Sequence, residues 1–318
     1  MADDPFSCFD NESDDENAHA DDVGETLRVR DLDCGVLAFH NGTERALVLF
    51  VQQQCEAAST FTSQAVRLAV DTFCIQRHWM MHVGPEKSRQ LESSLKNCVN
   101  KRPSTDSKFV LLELGTYCGY SSIMWAETLQ QLGLDFHVYT VEANPEFIEM
   151  SKELIRLAGL QSVISVLHLD IVGKNQTITD LLSENAVCNL NFVFLDHDKH
   201  AYLDDLQELE KAKLIRAGVH VVADNVLFAR IDSYRRYMKN LAERGIVQTR
   251  LEVGCLEYSE MEQNAATDPS VYQDGIGRLA PFLPHGSENC ICLPIIAQLS
   301  YFLFGIQSSQ FMSRIRCS

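Results

Sequence analysis

Apolar positions along this chain follow two alternating rhythms. Short, nearly unbroken runs occur at Phe109–Leu114, His137–Val141, Ile164–Leu169, Phe192–Leu195, Val219–Ala223 and Val247–Val253. Each reads as a strand of a sheet covered on both faces. Between them, Ser121–Leu132, Pro145–Ala158, Ile178–Leu182, Ala201–Leu209 and Ser233–Glu243 carry apolar residues at helical spacing. Pro145 in a first turn and Gly159 just past a last one are the usual start and stop of a helix. This alternation predicts a parallel, doubly wound α/β sheet. Upstream, Gln64–Gln76 reads as an amphipathic helix, Val83-Gly84-Pro85 as a loop, and Glu86–Ser94 as a further helix. The runs Gly35–Phe39 and Ala46–Val51 extend the fold without suggesting a function.

Several strands end on an acid: Glu113, Glu142, Asp170, Asp196 and Asp224. Ligands of open parallel sheets bind outside the carboxyl ends of the strands, so these five residues are expected to ring one crevice. The first strand runs into Glu113-Leu-Gly115-Thr-Tyr-Cys-Gly119, and a helix follows. Strand, glycine turn and helix start make a nucleotide-type site, because the turn lets a ligand approach the backbone. The spacing is not the G-x-G-x-x-G of nicotinamide enzymes. A carboxylate at Glu113 would repel a pyrophosphate. S-adenosylmethionine, cationic and sugar-bearing, suits the turn better.

Composition narrows the choice. The 318 residues are 46% hydrophobic, enough for one large α/β domain with appendages or for two small domains. The net charge is −17, and the ten acids between Asp3 and Glu25 carry much of it, with no Lys or Arg before Arg28. The remainder is still negative, so nucleic acid is repelled rather than attracted. Residues 1–26 are too acidic and too poor in apolar side chains to be expected to fold. The eleven scattered cysteines and the lack of a signal-peptide pattern point to reduced thiols and a cytoplasmic protein. The Ile291–Ile306 stretch is apolar but contains Pro294 and Gln298 and is short for a membrane span.

Three constellations carry chemistry. Glu142, at the end of the second strand, can accept hydrogen bonds from both hydroxyls of a ribose, or can serve as a helix cap ahead of Pro145. Asp196, Asp224 and Asn225 close two consecutive strands and offer three oxygen ligands, a set that suits Mg²⁺ with room left for water and substrate. Asp224-Asn225 could equally cap a turn. Lys199 follows Asp196 by three residues; beside a divalent cation its ammonium form is disfavoured, which fits it to be a general base. Cys118, within the glycine turn, reads as a packing residue rather than a nucleophile.

With these residues in view, the chain resembles the catechol O-methyltransferase family of Mg²⁺-dependent small-molecule O-methyltransferases. The resemblance runs from about Val66 to Leu279. It is carried by Trp79-Met-Met-His-Val-Gly84, Leu112-Glu-Leu-Gly-Thr-Tyr-Cys-Gly-Tyr-Ser121, Phe194-Leu-Asp-His-Asp-Lys199, Ala223-Asp-Asn-Val226, Leu256-Glu-Tyr258 and Asp274-Gly275. It implies a Rossmann-like, seven-stranded sheet with its last strand antiparallel, near Gly275–Leu279. It also implies that Met81 and Val83 cover the methionine end of S-adenosylmethionine, and that Glu113, Gly115, Tyr117 and Ser121 line its amino-acid portion. Glu142 would hold the ribose, and His197 would lie near the adenine. Asp196, Asp224 and Asn225 match the metal ligands and Lys199 the general base. Glu257 matches the carboxylate that holds the acceptor's second hydroxyl, and Trp79 an aromatic wall of the acceptor site. Three positions depart from the pattern. Asp198 stands where the family has an aromatic wall, Ala229 replaces a proline gatekeeper, and the family's Ser-Gln pair is not found around Asp170.

The reading is an S-adenosylmethionine- and Mg²⁺-dependent O-methyltransferase of vicinal aromatic diols, small-molecule in its substrates, with no nucleic-acid partner, no membrane partner expected and an oligomeric state left open. Its domain spans 64–280. It is preceded by the acidic tail and by a 27–63 extension of unclear role, and followed by an appendage or tail at 281–318. The rival reading is a non-catalytic interaction module on the same fold. Its expected signature would be loss of the metal ligands, Lys199 or Glu257, all of which are present.

Overall fold

The computed structural model describes residues 42–78, 80–102, 108–170, 176–226, 231–253 and 294–301. Its centre is a seven-stranded sheet. The strands are β1 (Phe109–Leu114), β2 (Phe136–Glu142), β3 (Ile164–His168), β4 (Phe192–Leu195), β5 (His220–Asp224), β6 (Val247–Val253) and β7 (Pro294–Tyr301). Their spatial order is β3-β2-β1-β4-β5-β7-β6. β1 to β5 are parallel, and β7 runs antiparallel to both β5 and β6. The order reverses between β1 and β4, so the crevice of such a sheet opens at the carboxyl ends of these two strands.

Eight helices among the described residues flank the sheet: α1 (Thr43–Ala58), α2 (Ser63–Gln76), α3 (Gly84–Lys101), α4 (Tyr120–Gln131), α5 (Pro145–Leu157), α6 (Ile178–Glu184), α7 (Tyr202–Lys211) and α8 (Asp232–Glu243). Local chemistry sets their ends. α5 starts at Pro145 under the side chain of Asn144, which accepts from the Glu146 N–H at 2.9 Å. α6 starts with a capping box between Thr177 and Asp180.

Two apolar layers sandwich the sheet, and strand alternation assigns each residue to one of them. Phe109 and Leu111 of β1 face the layer built on α1 to α5, with Leu47, Val70, Leu91, Trp125 and Leu154. Val110, Leu112 and Leu114 face the other, with Leu181, Leu206, Tyr234 and Met238 of α6, α7 and α8. Every residue of β1 is buried, as its unbroken apolar run requires.

The parallel sheet, its strands and its helices follow the sequence pattern closely. Two boundaries differ. Residues 46–51, expected as a short apolar run outside the domain, lie within the sixteen-residue helix α1. Leu47, Val51 and Cys55 fall on one face of that helix and join the core of the α1–α5 layer, so the fold begins before residue 64. The antiparallel strand is Pro294–Tyr301, within the segment expected as an appendage, and it inserts between β5 and β6. The position that the resemblance implies for it, Gly275–Leu279, lies outside the described residues, as do the tail 1–26 and most of 281–318.

If α1 belongs to the domain, Leu47→Ala should destabilise the whole fold by roughly 2–5 kcal/mol, the cost of a cavity at a fully buried leucine. Urea unfolding of the full chain measures it, and a change below about 0.5 kcal/mol would show α1 to be a dispensable extension.

Candidate active site

At the junction of β1 and β4 the glycine turn carries Gly115 (φ +95°), Tyr117 (φ +49°) and Gly119 (φ +85°) in left-handed conformations. The sequence pattern suggests that Gly115 admits a ligand to the backbone. The structure gives a different cause: a Cβ at Gly115 would lie 2.4 Å from the Asp196 carbonyl oxygen and 2.8 Å from the His197 nitrogen. The missing side chain lets the turn after β1 press against the loop after β4. At Gly119 a Cβ would meet Ser151 of α5 at 3.2 Å, so this glycine sets helix packing. Cys118 is fully buried, and burial raises its thiol well above the ordinary range. It is a packing residue, as expected.

Glu113 does not reach the crevice. It is the fifth residue of β1, on the face shared with Phe109 and Leu111, and it is completely buried. Its carboxylate accepts from Trp125 Nε1 at 3.1 Å, from Thr140 Oγ1 at 2.6 Å and from Ser122 Oγ. Ser121, the neighbour of Ser122 at the start of α4, is 7% exposed. Glu113 thus ties α4 and β2 to β1 behind the turn instead of lining a cofactor pocket. Burial outweighs these donors and pushes its carboxyl up to about 7.

Glu142 ends β2, where expected, and its carboxylate gathers loop backbone. Oε2 accepts from the Tyr117 N–H at 2.8 Å, and Oε1 accepts from the N–H groups of Ala143 and Asn144 at 2.9 Å each. A carboxylate offers about four lone-pair sites, so ribose hydroxyls here would share it with the turn. Loss of solvent raises the carboxyl, against the lowering effect of these N–H bonds. The α5 cap is Asn144, not Glu142.

The ends of β4 and β5 hold a charge cluster. Lys199 Nζ donates to Asp196 Oδ1 and to the Tyr202 hydroxyl, both at 2.7 Å. Lys87 Nζ, from α3, donates to Asp224 Oδ2 at 2.7 Å, and both side chains of that pair are essentially solvent-free. Asp224 Oδ1 accepts from the N–H of Asn225, which is held at φ +55°. The Tyr202 hydroxyl, itself buried, contacts the carbonyls of Leu195 at 2.7 Å and Asp224 at 3.2 Å, tying the two strand ends together. Asp196 is raised first by desolvation and by the nearby Asp224, and drawn back by Lys199 and Lys87.

His197 follows Asp196. Its Nε2 is 2.7 Å from Asp205 Oδ2 of α7, and its ring lies 5.0 Å from that of Tyr202. Its Nδ1 is buried and has no hydrogen-bond partner among the described residues. With the proton on Nε2 for Asp205, Nδ1 keeps a free lone pair. Val83 is buried at the start of α3, whereas Met81 is 42% exposed. Asp198 is exposed and accepts from the His200 N–H at 3.0 Å, so it caps a turn at the rim. Trp79, Ala229 and Glu257 lie outside the described residues.

The donor set fits a hard divalent cation. Two carboxylates and the amide oxygen of Asn225 come from adjacent strand ends, a donor set of the kind such a cation takes, although the described residues contain no group of three or more His, Cys, Asp or Glu placed to hold a metal. Lys87, Tyr202 and Glu44, whose carboxylate meets the Tyr117 hydroxyl at 3.1 Å, are not marked by the sequence pattern. A lysine early in a helix reads as solvated, and only its distant partner Asp224 reveals otherwise.

Comparison with known proteins bears on this arrangement. A family model described as O-methyltransferase matches residues 70–250, more than half of the chain. The chain belongs to the O-methyltransferase family. Within it, the resemblance to catechol O-methyltransferases is borne out. The Bos taurus catechol O-methyltransferase is 34% identical over 177 residues, 55% of this chain and 60% of that protein. The Mus musculus protein is 32% identical over 197 residues, covering 62% and 68%. The Homo sapiens transmembrane O-methyltransferase is 33% identical over 172 residues, 54% of each chain. Among solved structures, the O-methyltransferase TomG from Streptomyces achromogenes aligns with a TM-score of 0.49 and 17% identity, over 80% of this chain and 98% of that one. No helix among the described residues of this O-methyltransferase is long and apolar enough to cross a membrane.

Burial of Glu113 has a pH signature. A folded-state carboxyl near 7, against an ordinary 4.5, means that folding takes up a proton between these values. The group's contribution to stability therefore falls as pH rises through that window. Glu113→Gln has no such proton, so the stability of wild type relative to this variant should drop by roughly 2 kcal/mol between pH 5.5 and pH 8. Urea titrations at the two pH values test it, and a pH-independent difference would place Glu113 in a solvated site.

Proposed function

We propose that this O-methyltransferase transfers the methyl group of S-adenosylmethionine to one hydroxyl of a vicinal aromatic diol, with Mg²⁺ as its metal. The observation that carries the reading is the meeting of Asp196, Lys199, Asp224 and Asn225 at the ends of β4 and β5, against the glycine turn of β1. The catechol O-methyltransferases named above lend it support through their similarity. Asp196, Asp224 and Asn225 would hold the metal, which when bound acts as a Lewis acid that acidifies an acceptor hydroxyl. S-adenosylmethionine supplies an electrophilic methyl group.

The chain's own residues do the rest. Glu142 and the lone pair of His197 Nδ1 offer acceptors to the ribose and adenine of the cofactor. Val83, Tyr117 and Ser121, from the start of α3 and the glycine turn, shape the methionine end, with Met81 at the surface. Glu257 and Trp79 complete the acceptor side by their place in the sequence motifs. Lys199 is the base: it would take the acceptor proton at Nζ. As the base it would be the neutral amine, whose two N–H groups would be those that donate to Asp196 and Tyr202, leaving the lone pair of Nζ for the acceptor proton. Orientation and electrostatics then carry the catalysis, with no covalent enzyme intermediate. The substrates are small molecules in this reading, and the compartment is cytoplasmic.

Removing metal with EDTA should abolish turnover of a catechol, and Mg²⁺ should restore it. The informative variant is Asp224→Asn. Alanine at this position would break the buried ion pair with Lys87 and threaten the fold at a cost of about 3–5 kcal/mol. Asparagine keeps an oxygen for Lys87 while weakening the metal site. It should lose Mg²⁺-dependent turnover by about 10²-fold or more and keep cofactor binding, and undiminished turnover in EDTA would rule out the metal.

Lys199→Ala should cut turnover by about 10²–10⁴-fold, with partial recovery as pH rises and more of the acceptor ionises unaided. A pH–rate profile on a catechol that the wild type accepts measures this. A profile matching wild type would remove Lys199 from the mechanism, whereas a wild type inactive on every catechol and related diol tried would favour the interaction-module reading.

A further inference from the structure

Tyr117, at the apex of the glycine turn, is held from several directions. Its N–H donates to Glu142 Oε2 at 2.8 Å. Its ring meets Phe147 of α5 edge-on at 4.9 Å and His82, just before α3, at 5.2 Å. Its hydroxyl donates to Glu44 Oε1 at 3.1 Å. Glu44 belongs to the first turn of α1 and is 1% exposed. The Tyr117 backbone is left-handed, a conformation that is unfavourable for a non-glycine residue and persists only where surrounding contacts impose it.

A buried carboxylate is a costly way to dock a helix. Leu47, Val51 and Cys55 already seat α1 in the core, and an apolar residue at position 44 would add to that without giving up solvation. Loss of solvent indeed raises the Glu44 carboxyl, against the hydrogen bonds that hold it. Beyond its hydrogen bonds to the backbone of Gly42 and Glu44 at the start of α1, the carboxylate makes a directed bond to one hydroxyl in the glycine turn.

We propose that Glu44 is a positioning residue, through which the N-terminal helix α1 clamps Tyr117 and so sets the affinity of the site for S-adenosylmethionine. The chain of cause is short. The Glu44 bond holds the Tyr117 ring, the ring holds the left-handed turn, and the turn aims the Tyr117 N–H at Glu142. Without the bond, the turn can relax toward ordinary backbone angles, and Glu142 loses the donor that holds Oε2, keeping only those of Ala143 and Asn144 on Oε1. This inference rests on the reading of the turn as the S-adenosylmethionine site.

The test uses the full chain, with calorimetric titration of S-adenosylmethionine and steady-state kinetics on Glu44→Ala, Glu44→Gln, Tyr117→Phe and the Glu44→Ala/Tyr117→Phe double variant. Glu44→Ala should raise the cofactor Kd about tenfold, the scale of one charge-assisted hydrogen bond, with the loss falling on the KM for S-adenosylmethionine rather than on kcat. Glu44→Gln should recover most of the affinity, because its amide oxygen still accepts from the hydroxyl. Tyr117→Phe, which keeps the ring and removes only the donor, should weaken binding to a similar extent. The double variant should be no weaker than either single one, as expected for two ends of one contact. Wild-type affinity in Tyr117→Phe, or losses that simply add in the double variant, would overturn the clamp even if Glu44→Ala fails to fold. A wild-type chain that binds no S-adenosylmethionine would overturn the functional reading and the clamp with it, whereas wild-type binding with unaffected variants overturns the clamp alone.

Discussion

Asp224 is buried at the end of β5, and Asp196, its side chain 25% exposed, follows the end of the adjacent parallel strand β4. Two carboxylates so placed repel one another and have lost much of the hydration that would stabilise their charge. The fold answers with two lysines from different directions. Lys87 arrives from α3, on the far side of the sequence from Asp224, and Lys199 arrives from the loop between β4 and α7. Tyr202 bridges the carbonyls at both strand ends and accepts from Lys199, which closes the cluster. Breaking a buried pair by removing one partner is far more damaging than never having had it. The position of α3 is thereby bound to the sheet by charge as well as by the apolar contacts of Leu91 and Leu95.

The same neutralisation shapes the chemistry. Each carboxylate already has an internal cation, so a metal bound here would compete with Lys87 and Lys199 for the same oxygens. Asp196 is the shared element. It is the anchor of Lys199 in the structure and a metal ligand in the proposed mechanism. Its engagement with a metal and the availability of Lys199 Nζ are therefore coupled through one side chain. This dependence arises from three-residue spacing at a strand end, where Asp196 and Lys199 are brought together by a single turn of the loop.

Much of this fold is legible in the order of apolar and polar residues. Buried parallel strands are continuous apolar runs, and helices between them carry capping chemistry, so β1 to β6 and their helices can be read to within a few residues. The strand-end acids and Lys199 can be read because the sheet topology brings carboxyl ends together whatever the loops do. The failures have physical causes. Glu113 lies near a strand end and so reads as part of the crevice wall, although Leu114 follows it and the period of two turns its side chain into the core. At Gly115 the sequence shows a glycine turn but not its contact with the backbone after β4, which tertiary packing fixes. Lys87 and Glu44 look like surface charges on amphipathic helices, and their burial is decided by Asp224 and Tyr117, residues far away in sequence. The closing strand β7 escapes a local reading for the same reason, since its pairing with β5 and β6 is non-local.

These features divide the site into two halves with separate supports. The glycine turn is braced by α1 through Glu44, by α5 through Phe147 and by Glu142 at the end of β2. The charge cluster is braced by α3 through Lys87 and by α7 through Tyr202. In-line group transfer tolerates little error in the distance between donor and acceptor, so the two halves need a fixed relation to one another. Gly115 supplies it. The turn after β1 touches the loop after β4 backbone to backbone, with no space for even a methyl group between Gly115 and the Asp196 carbonyl. Side chains at such a junction would add rotamers, and with them play. Direct contact between two stretches of main chain, each the continuation of a paired strand, has little freedom to vary. The absence of a side chain at Gly115 therefore works as a spacer of zero length between the half that would bind the methyl donor and the half that would bind its acceptor.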